Sequence, residues 1–183
     1  KAGIEVKVGV LKTAAEELNR FFIKQITTGK PYVIAKVAQS LDGKITATRG
    51  KQTWLTGKAA KKYVQRLRSE VDAVLVGRQT ILIDDPQLNV RDAKKPQPKR
   101  IVLDSKLRLP LTKNIFKVHG GEVILVCALP ENNARVRKYR EQGVSVLCAG
   151  SKGQKVDLKI LLKKLMPRLK KLLIKVTREL KKF

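Results

Sequence analysis

The sequence has few of the residues from which metal sites, disulfides and transmembrane helices are built. Its 183 residues include one histidine and two cysteines, too few ligands for a zinc site. Cys127 and Cys148 each lie inside an apolar run, which is typical of buried, reduced thiols and favours a cytoplasmic protein. No apolar run reaches the roughly 18 residues that span a membrane, and residues 1–4 do not open a signal peptide. The sequence therefore predicts neither a metal site nor a membrane span.

Acidic residues are also scarce relative to basic ones. Lysine and arginine number 41 against 15 acidic residues, a net charge of +26. Such an excess predicts attraction to nucleic acid, acidic membranes or phosphorylated small molecules, although a lysine-rich solvated surface is an alternative interpretation. Aromatic residues make up only 4% of the chain, and no pattern for base stacking is present. A specific nucleic-acid partner is therefore not expected.

Short β-branched runs alternate with longer segments of helical periodicity. Strands are predicted at residues 4–10, 32–39, 72–77, 100–104, 122–127 and 144–148. Helices are predicted at residues 12–25, 57–69 (with Thr56 as N-cap) and 130–142. Residues 91–100, with two prolines and five basic residues, are predicted to form an exposed loop. The alternation is typical of a single layered α/β domain.

The strand predicted at residues 32–39 ends in an Asp42-Gly43 turn. A small residue at its end, Ala38, would let a flat ligand lie against the backbone. Lys36 lies two residues earlier on the same face. A simple turn would explain the same residues, so this motif is weak by itself.

Two further groups of polar residues precede or follow predicted elements. Trp54 stands just before a helix whose N-terminal amides could hold an anion, and Arg68 in that helix suits a phosphate, although helical arginine is often surface charge. The strand that ends at Gly77 leads through Thr80 to Asp84-Asp85-Pro86. Open α/β sheets bind ligands at such strand ends. One carboxylate is expected to meet a ligand hydroxyl, while Asp85 braces the proline turn.

Five ordered motifs between about residues 30 and 158 resemble the reductase domain of the bifunctional riboflavin-biosynthesis deaminase/reductase. They are AKVAQSLDGKI, WLTG, RLRSEVDAVLVGRQT, DDPQLNVR and IVLDSKLRLP. The resemblance implies a three-layer α/β fold with a mostly parallel central sheet, similar to dihydrofolate reductase. It also implies a homodimer in which NADPH reduces the ribosyl group of 5-amino-6-(5-phosphoribosylamino)uracil to a ribityl chain. Both ligands are anionic, which agrees with the basic charge.

The resemblance also implies roles for individual residues. The expected cofactor contacts are Ala38, Trp54, Thr80, Asp84 and Ser105. The expected substrate contacts are Gln52, Arg68, Leu88 and Arg91, of which the two arginines suit the phosphate. Lys36 and Asp84 are the catalytic candidates, because they could polarise the sugar carbon that receives the hydride.

The two ends of the chain depart from the reductase motifs. Residues 1–29 resemble the end of a deaminase domain and its connector, and residues 30–183 resemble the reductase domain, atypical from about residue 159. The zinc ligands of a deaminase are absent, so we expect no deamination; a covalently linked deaminase domain would lie outside this sequence. Lys175, Val176 and Thr177 stand where the family has Glu-Gly-Gly, and its final strands are missing. We therefore expect a fold truncated at its C-terminus and weakened sites.

Leucines at helical spacing dominate residues 158–180, with lysines between them. This pattern predicts a basic amphipathic helix, interrupted at Pro167. It would pack on the core or in a dimer, or lie on an anionic membrane or in a partner's groove. An alternative function follows: a catalytically silent reductase-like fold that binds polyanions or a partner.

Overall fold

A single parallel β-sheet forms the centre of the protein in the computed structural model, which describes residues 3–48, 51, 53–118, 120–165 and 169–175. The strands are β1 (Tyr32–Lys36), β2 (Ala73–Gly77), β3 (Lys99–Leu103), β4 (Val123–Cys127), β5 (Ser145–Cys148), β6 (Ser151–Lys152), β7 (Lys155–Val156) and β8 (Lys171–Lys175). Six of them pair in the order β1-β8-β2-β3-β4-β5, all parallel. The remaining two, β6 and β7, form a short antiparallel ribbon.

Helices cover both faces of this sheet. They are α1 (Lys12–Leu18), α2 (Arg20–Thr28), α3 (Lys58–Ser69), α4 (Arg78–Asp84), α5 (Asn114–Lys117), α6 (Ala134–Glu141) and α7 (Leu158–Leu165). One core packs Ile81 of α4, Ile115 of α5 and Val136 of α6 against the sheet. A second core packs Leu161 and Leu165 of α7 beside β8 residues. The arrangement is the predicted three-layer α/β fold.

The segment that the leucine spacing assigned to one amphipathic helix is part helix and part strand. Residues 158–165 form α7 as predicted, but residues 171–175 form β8, which lies between β1 and β2. The helix prediction was wrong there because three consecutive buried residues, Leu172, Leu173 and Ile174, suit a strand covered on both faces. The predicted interruption at Pro167 and the continuation over residues 176–180 lie outside the described residues.

Backbone contacts from early strands fix the position of β8. One carboxylate oxygen of Asp72 accepts hydrogen bonds from the amides of Lys170 (2.6 Å) and Lys171 (2.7 Å). The Asp72 amide donates to the Lys171 carbonyl at 3.1 Å, and the Tyr32 amide donates to the Lys170 carbonyl at 2.8 Å. These contacts set the register in which Lys36 of β1 lies opposite Lys175 of β8.

Several predicted boundaries differ from the observed ones. Residues 4–10 form no strand and are exposed, since no neighbouring strand in the described ranges supplies the ladder hydrogen bonds that a strand needs. The helix predicted at residues 12–25 is divided at Asn19 into α1 and α2. Gly57, not Thr56, is the N-cap of α3. Asn133 caps α6 by accepting from the Arg135 amide at 3.0 Å.

The predicted exposed loop at residues 91–100 is correct for residues 91–96 and wrong at its end. Arg100 lies in β3 and is only 3% exposed. Its guanidinium donates hydrogen bonds to backbone carbonyls of Gln87, Ile115, Val118, Gly120 and Gly121. Burial lowers the pKa of this group, and the planar fork of arginine suits several acceptors at once. The side chain therefore ties β3 to the segment before β4.

Candidate active site

The residues predicted to bind ligands follow the carboxyl ends of neighbouring parallel strands. Lys36 is the last residue of β1 and Lys175 the last of β8, and the two are register partners. The helix α4, which holds Thr80 and Asp84, begins directly after β2. Ser105 follows the end of β3. Parallel strands bring their carboxyl ends to one edge of the sheet, so the fold gathers these residues at one edge.

An ion pair joins the end of β8 to the end of α4 at this edge. The ammonium nitrogen Nζ of Lys175 lies 2.6 Å from Oδ2 of Asp84, the last residue of α4. Both side chains are largely buried, with 33% exposure for Lys175 and 20% for Asp84. Lys175 was expected only to weaken the sites. The structure makes it the partner of Asp84, the acidic residue that the motifs named, and the weakening of the sites stays a prediction.

Lys36 is the half-buried cation beside this pair. Its pKa is lowered from the usual lysine value, first by burial and then by the positive charges of Lys175 and Arg68. In the part of the chain that the structure describes, no carboxylate forms an ion pair with it. An unpaired ammonium with a lowered pKa is suited to donating a proton to a ligand.

Asp85 has a structural role, although it binds Asn114 and the sequence had predicted that it braces the proline turn. Its Oδ1 accepts from the Asn114 amide and its Oδ2 from the Asn114 side-chain amide, each at 3.0 Å. Asn114 is the first residue of α5. The carboxylate thus holds the start of α5 against the end of α4, and the backbone of Asp85 turns there with φ 41°.

The Thr80 hydroxyl is buried and has no hydrogen-bond partner among the described residues. Thr80 is 5% exposed, and its Oγ1 has no hydrogen-bond partner within the described ranges. Buried hydroxyls are nearly always satisfied in folded proteins, so each exception calls for a cause. Nε of Arg68 is the other such atom among the described residues. Both residues were predicted to contact ligands, and a bound cofactor and substrate would fit these unsatisfied groups.

The predicted substrate residues lie in and beside α3. The Arg68 guanidinium donates to the Asn89 carbonyl at 3.3 Å. Its pKa is lowered by burial and then by the charge of Arg91, so the two arginines lie near each other. The Leu88 side chain is only 2% exposed and packs in the core, with φ 58°. Leu88 can therefore offer a ligand its backbone but not its side chain. Gln52 lies outside the described residues.

The other predicted cofactor residues have different surroundings. Ala38 is half-buried just past the end of β1. Trp54 is 66% exposed, and the Lys61 ammonium lies 3.9 Å from its ring centroid. The Ser105 hydroxyl accepts from the Val156 amide at 3.3 Å, which leaves its own proton available to a ligand. Of these three, Ser105 is the one already tied to the fold.

A buried carboxylate beside Ser105 was missed by the sequence analysis. Asp104 is 2% exposed, and its Oδ2 accepts from the amides of Arg108 (2.6 Å) and Leu109 (2.7 Å). Its Oδ1 lies 3.8 Å from Nε of Arg78, the first residue of α4. An aspartate directly after a buried strand is a known turn signal, so the sequence contained the clue. The carboxylate shapes the turn that presents Ser105.

Metal ligands do not gather in the described part of the chain: no group of three or more His, Cys, Asp or Glu side chains could hold an ion there. In the same residues, no helix has the length and apolar character needed to cross a membrane.

The sequence of the chain matches a known protein family. The profile of the RibD C-terminal domain matches residues 31–176. The chain belongs to the RibD C-terminal domain family. The riboflavin biosynthesis protein RibD of Actinobacillus pleuropneumoniae is 38% identical over 165 residues, 90% of this chain and 44% of that protein. RibD of Aquifex aeolicus is 42% identical, covering 90% of this chain and 45% of that protein.

Solved structures of RibD proteins share the fold. The diaminohydroxyphosphoribosylaminopyrimidine deaminase/5-amino-6-(5-phosphoribosylamino)uracil reductase of Thermotoga maritima matches with TM-score 0.79 and 31% identity, over 97% of this chain and 48% of that chain. RibD of Acinetobacter baumannii gives TM-score 0.78 and 37% identity, over 95% and 48%. The predicted family and fold class are thus confirmed. The chain spans somewhat less than half the length of these relatives, and its division at residues 29 and 30 stays a prediction.

Proposed function

We propose that this member of the RibD C-terminal domain family is an NADPH-dependent reductase of riboflavin biosynthesis. Its substrate would be 5-amino-6-(5-phosphoribosylamino)uracil, whose ribosyl group becomes a ribityl chain. The observation that carries the proposal is the placement of Lys36, Asp84 and Thr80 at one sheet edge, where the Thr80 hydroxyl has no partner among the described residues. A nicotinamide cofactor agrees with the family, and NADPH in particular is part of the proposal.

The reaction breaks the bond between the first ribosyl carbon and the ring oxygen. That carbon gains a hydride, the ring oxygen gains a proton, and the cofactor is oxidised. When bound, NADPH supplies the hydride. Lys36 holds the proton for the ring oxygen, since burial and neighbouring cations make its ammonium a better donor than an ordinary lysine. Asp84 lies beside the reacting carbon in this proposal and stabilises the positive charge that develops as the ring opens.

The cofactor would lie along the carboxyl ends of β1, β2 and β3. Thr80 would donate its buried hydroxyl, which lacks a partner in the described part of the chain, and Ser105 would donate the proton left free by its bond to β7. The backbone at Ala38 would give room to a flat ring, and exposed Trp54 would offer a stacking surface. The fit rests on hydroxyls that can donate to a dinucleotide without breaking a protein contact.

The phosphate of the substrate would lie against Arg68 and Arg91. Burial lowers the pKa of Arg68 most and the charge of Arg91 lowers it further, which is the electrostatic cost of holding two cations close together. A bound phosphate would remove that cost, because arginine binds phosphate oxygens bidentately. Leu88 would contribute its backbone, and Gln52 remains a proposed contact.

The proposal extends to partners and location. A homodimer is proposed from the family resemblance, and a covalently linked deaminase domain from the relatives, which are about twice as long as this chain. A cytoplasmic location agrees with two buried, unpaired thiols.

A direct test is titration of the full chain with NADPH at low and high salt, in which binding is measured by the quenching of Trp54 fluorescence. We expect saturable binding that survives high salt, and oxidation of NADPH at 340 nm once the substrate is added. Lys36→Met should keep cofactor binding and lose turnover. Binding that disappears with salt would contradict the proposal and favour a silent fold that attracts polyanions.

A further inference from the structure

Two lysines and one carboxylate meet where β1 and β8 end. Lys36 and Lys175 are register partners on adjacent strands. Asp84 binds Lys175 at 2.6 Å, whereas Lys36 forms no ion pair with any described residue. The carboxylate therefore belongs to the lysine that the reaction does not use. The inference below rests on the proposed function for the role of Lys36.

The charged groups around Lys36 come from three elements. β8 supplies Lys175 and α3 supplies Arg68, whose charges both lower the pKa of Lys36 after burial does so, and α4 supplies Asp84, which lies there as the ion-pair partner of Lys175. The helix α2 packs on the opposite end of β1, where the rings of Phe21 and Tyr32 meet edge to face.

The nearest acidic residue in the segment that follows β1 is already engaged. Asp42 accepts from the Ser40 hydroxyl and pairs with Lys44 at 2.7 Å. Asp84, the partner of Lys175, is thus the described carboxylate that lies beside the two strand-end lysines.

Two lysines that lie near one buried carboxylate are expected to end in different states. A carboxylate that is largely buried binds one ammonium tightly and stabilises its charged form. The second ammonium, if partly buried nearby, keeps the cost of burial and adds like-charge repulsion. Lys36 has both features, since its pKa is lowered first by burial and then by Lys175.

We propose that Lys175 is a positioning residue of this site: by binding Asp84 it withholds that carboxylate from Lys36 and leaves the Lys36 amine free to meet a ligand. Removal of the Lys175 charge would allow Asp84 to turn to Lys36, which would then be held as an ion pair. The role is specific to this chain's own lysine at the end of β8.

Competitive acetylation of the full chain with trace acetic anhydride at pH 8, read by peptide mass spectrometry, tests this proposal. Only the neutral amine reacts, so the rate reports the acidity and freedom of each lysine. In the unaltered chain Lys36 should react faster than Lys175. In Lys175→Met the Lys36 rate should fall about three- to tenfold, and Lys175→Arg should leave it unchanged.

Lys171→Met is the matched control, since it removes the same charge from the other end of β8 and should not alter the Lys36 rate. Adding Asp84→Asn to Lys175→Met should restore the rate, because no carboxylate remains to capture Lys36.

An equal or faster rate at Lys175 in the unaltered chain would overturn the proposal without any variant, and so would an unchanged Lys36 rate in a folded Lys175→Met. The labelling needs neither cofactor nor substrate, so its result does not depend on turnover. Normal labelling with no NADPH oxidation would reject the proposed function and leave the arrangement of the two lysines established. Where turnover is present, Lys175→Met should move the alkaline loss of kcat to higher pH, since Lys36 then keeps its proton longer.

Discussion

At the scale of single residues, burial and partners give side chains of one type different tasks. Asp84 and Asp85 are neighbours in sequence, yet Asp85 holds the start of α5 while Asp84 pairs with Lys175 at the sheet edge. The sequence predicted that Asp85 is structural and Asp84 is not, but it assigned Asp85 to the proline turn and not to Asn114. It could not predict the partner of Asp84, because that contact spans 91 positions and exists only when β8 lies next to β1.

Substitution of Thr80 is expected to affect the affinity for NADPH and the stability of the fold differently. Thr80→Val removes a buried hydroxyl that has no protein partner in the described ranges, so the free energy of unfolding should stay the same or rise by up to about 1 kcal/mol. If the hydroxyl donates to NADPH, the dissociation constant should rise about threefold or more. Urea unfolding and fluorescence titration measure the two quantities.

Thr80→Ser keeps the hydroxyl and serves as the control for cofactor affinity. An equal NADPH affinity in Thr80→Val and the unaltered chain would remove Thr80 from the cofactor site.

Arg100 shows how a buried charge missed by sequence analysis can organise a fold. Arg100→Met leaves five backbone carbonyls without their donor, so we expect a loss of about 3 kcal/mol in unfolding free energy. Arg100→Lys should recover only part of it, because an ammonium cannot reproduce the planar fork. Urea midpoints for the three proteins test the order. Equal midpoints for lysine and arginine would show that charge alone suffices.

At the scale of elements, β8 is the part of the fold that periodicity misassigned. A strand covered on both faces has apolar residues at every position, and over five residues this pattern cannot be told from one face of a helix. β2, with all five residues buried, was recognised because it ends in glycine and follows a helix. α1 was predicted from spacing alone and buries none of its residues. The hydrophobic pattern therefore identified many of the elements. How deeply each element is buried depends on its tertiary pairing, which the pattern does not contain.

The rate of amide hydrogen exchange tests whether residues 172–174 form a buried central strand, as β8 does in the structure. The amides of Leu172, Leu173 and Ile174 lie in a strand paired on both sides and buried on both faces. We expect them to exchange among the slowest in the chain, near the limit set by global unfolding. The amides of α1 should exchange many times faster, since its helix is exposed. Fast exchange throughout residues 172–174 would contradict the central position of β8.

At the scale of the whole molecule, one late strand joins stability to function. Among the described strands β8 comes last in the sequence, yet it pairs with the first two, β1 and β2. Its last residue is Lys175. The family motifs predicted the mostly parallel sheet and named several of the residues that the fold gathers at one edge of it. The order of the strands could be seen only in the folded structure, because the pairing of β8 depends on Asp72, which lies almost a hundred residues earlier in the sequence.

The two thiols give a prediction for the stability of the whole chain against pH. Cys127 and Cys148 face each other on β4 and β5 with sulfurs 3.6 Å apart. Burial raises the pKa of both, that of Cys148 to about 12. In the unfolded chain a thiol ionises near pH 8.5, so above that value unfolding is favoured by release of a proton. The stabilisation is therefore complete below about pH 8.5 and is lost progressively as pH rises toward 12.

Comparison with Cys148→Ala isolates this effect from the titration of the many lysines. The difference in unfolding free energy between the unaltered chain and Cys148→Ala should be constant from pH 6 to about 7.5 and should shrink between about pH 8.5 and 10.5. Urea unfolding across this range measures it. Since the lost contacts of the sulfur atom do not depend on pH, a difference that stays constant to pH 10.5 would mean that the Cys148 thiol ionises as readily in the folded protein as in the unfolded chain.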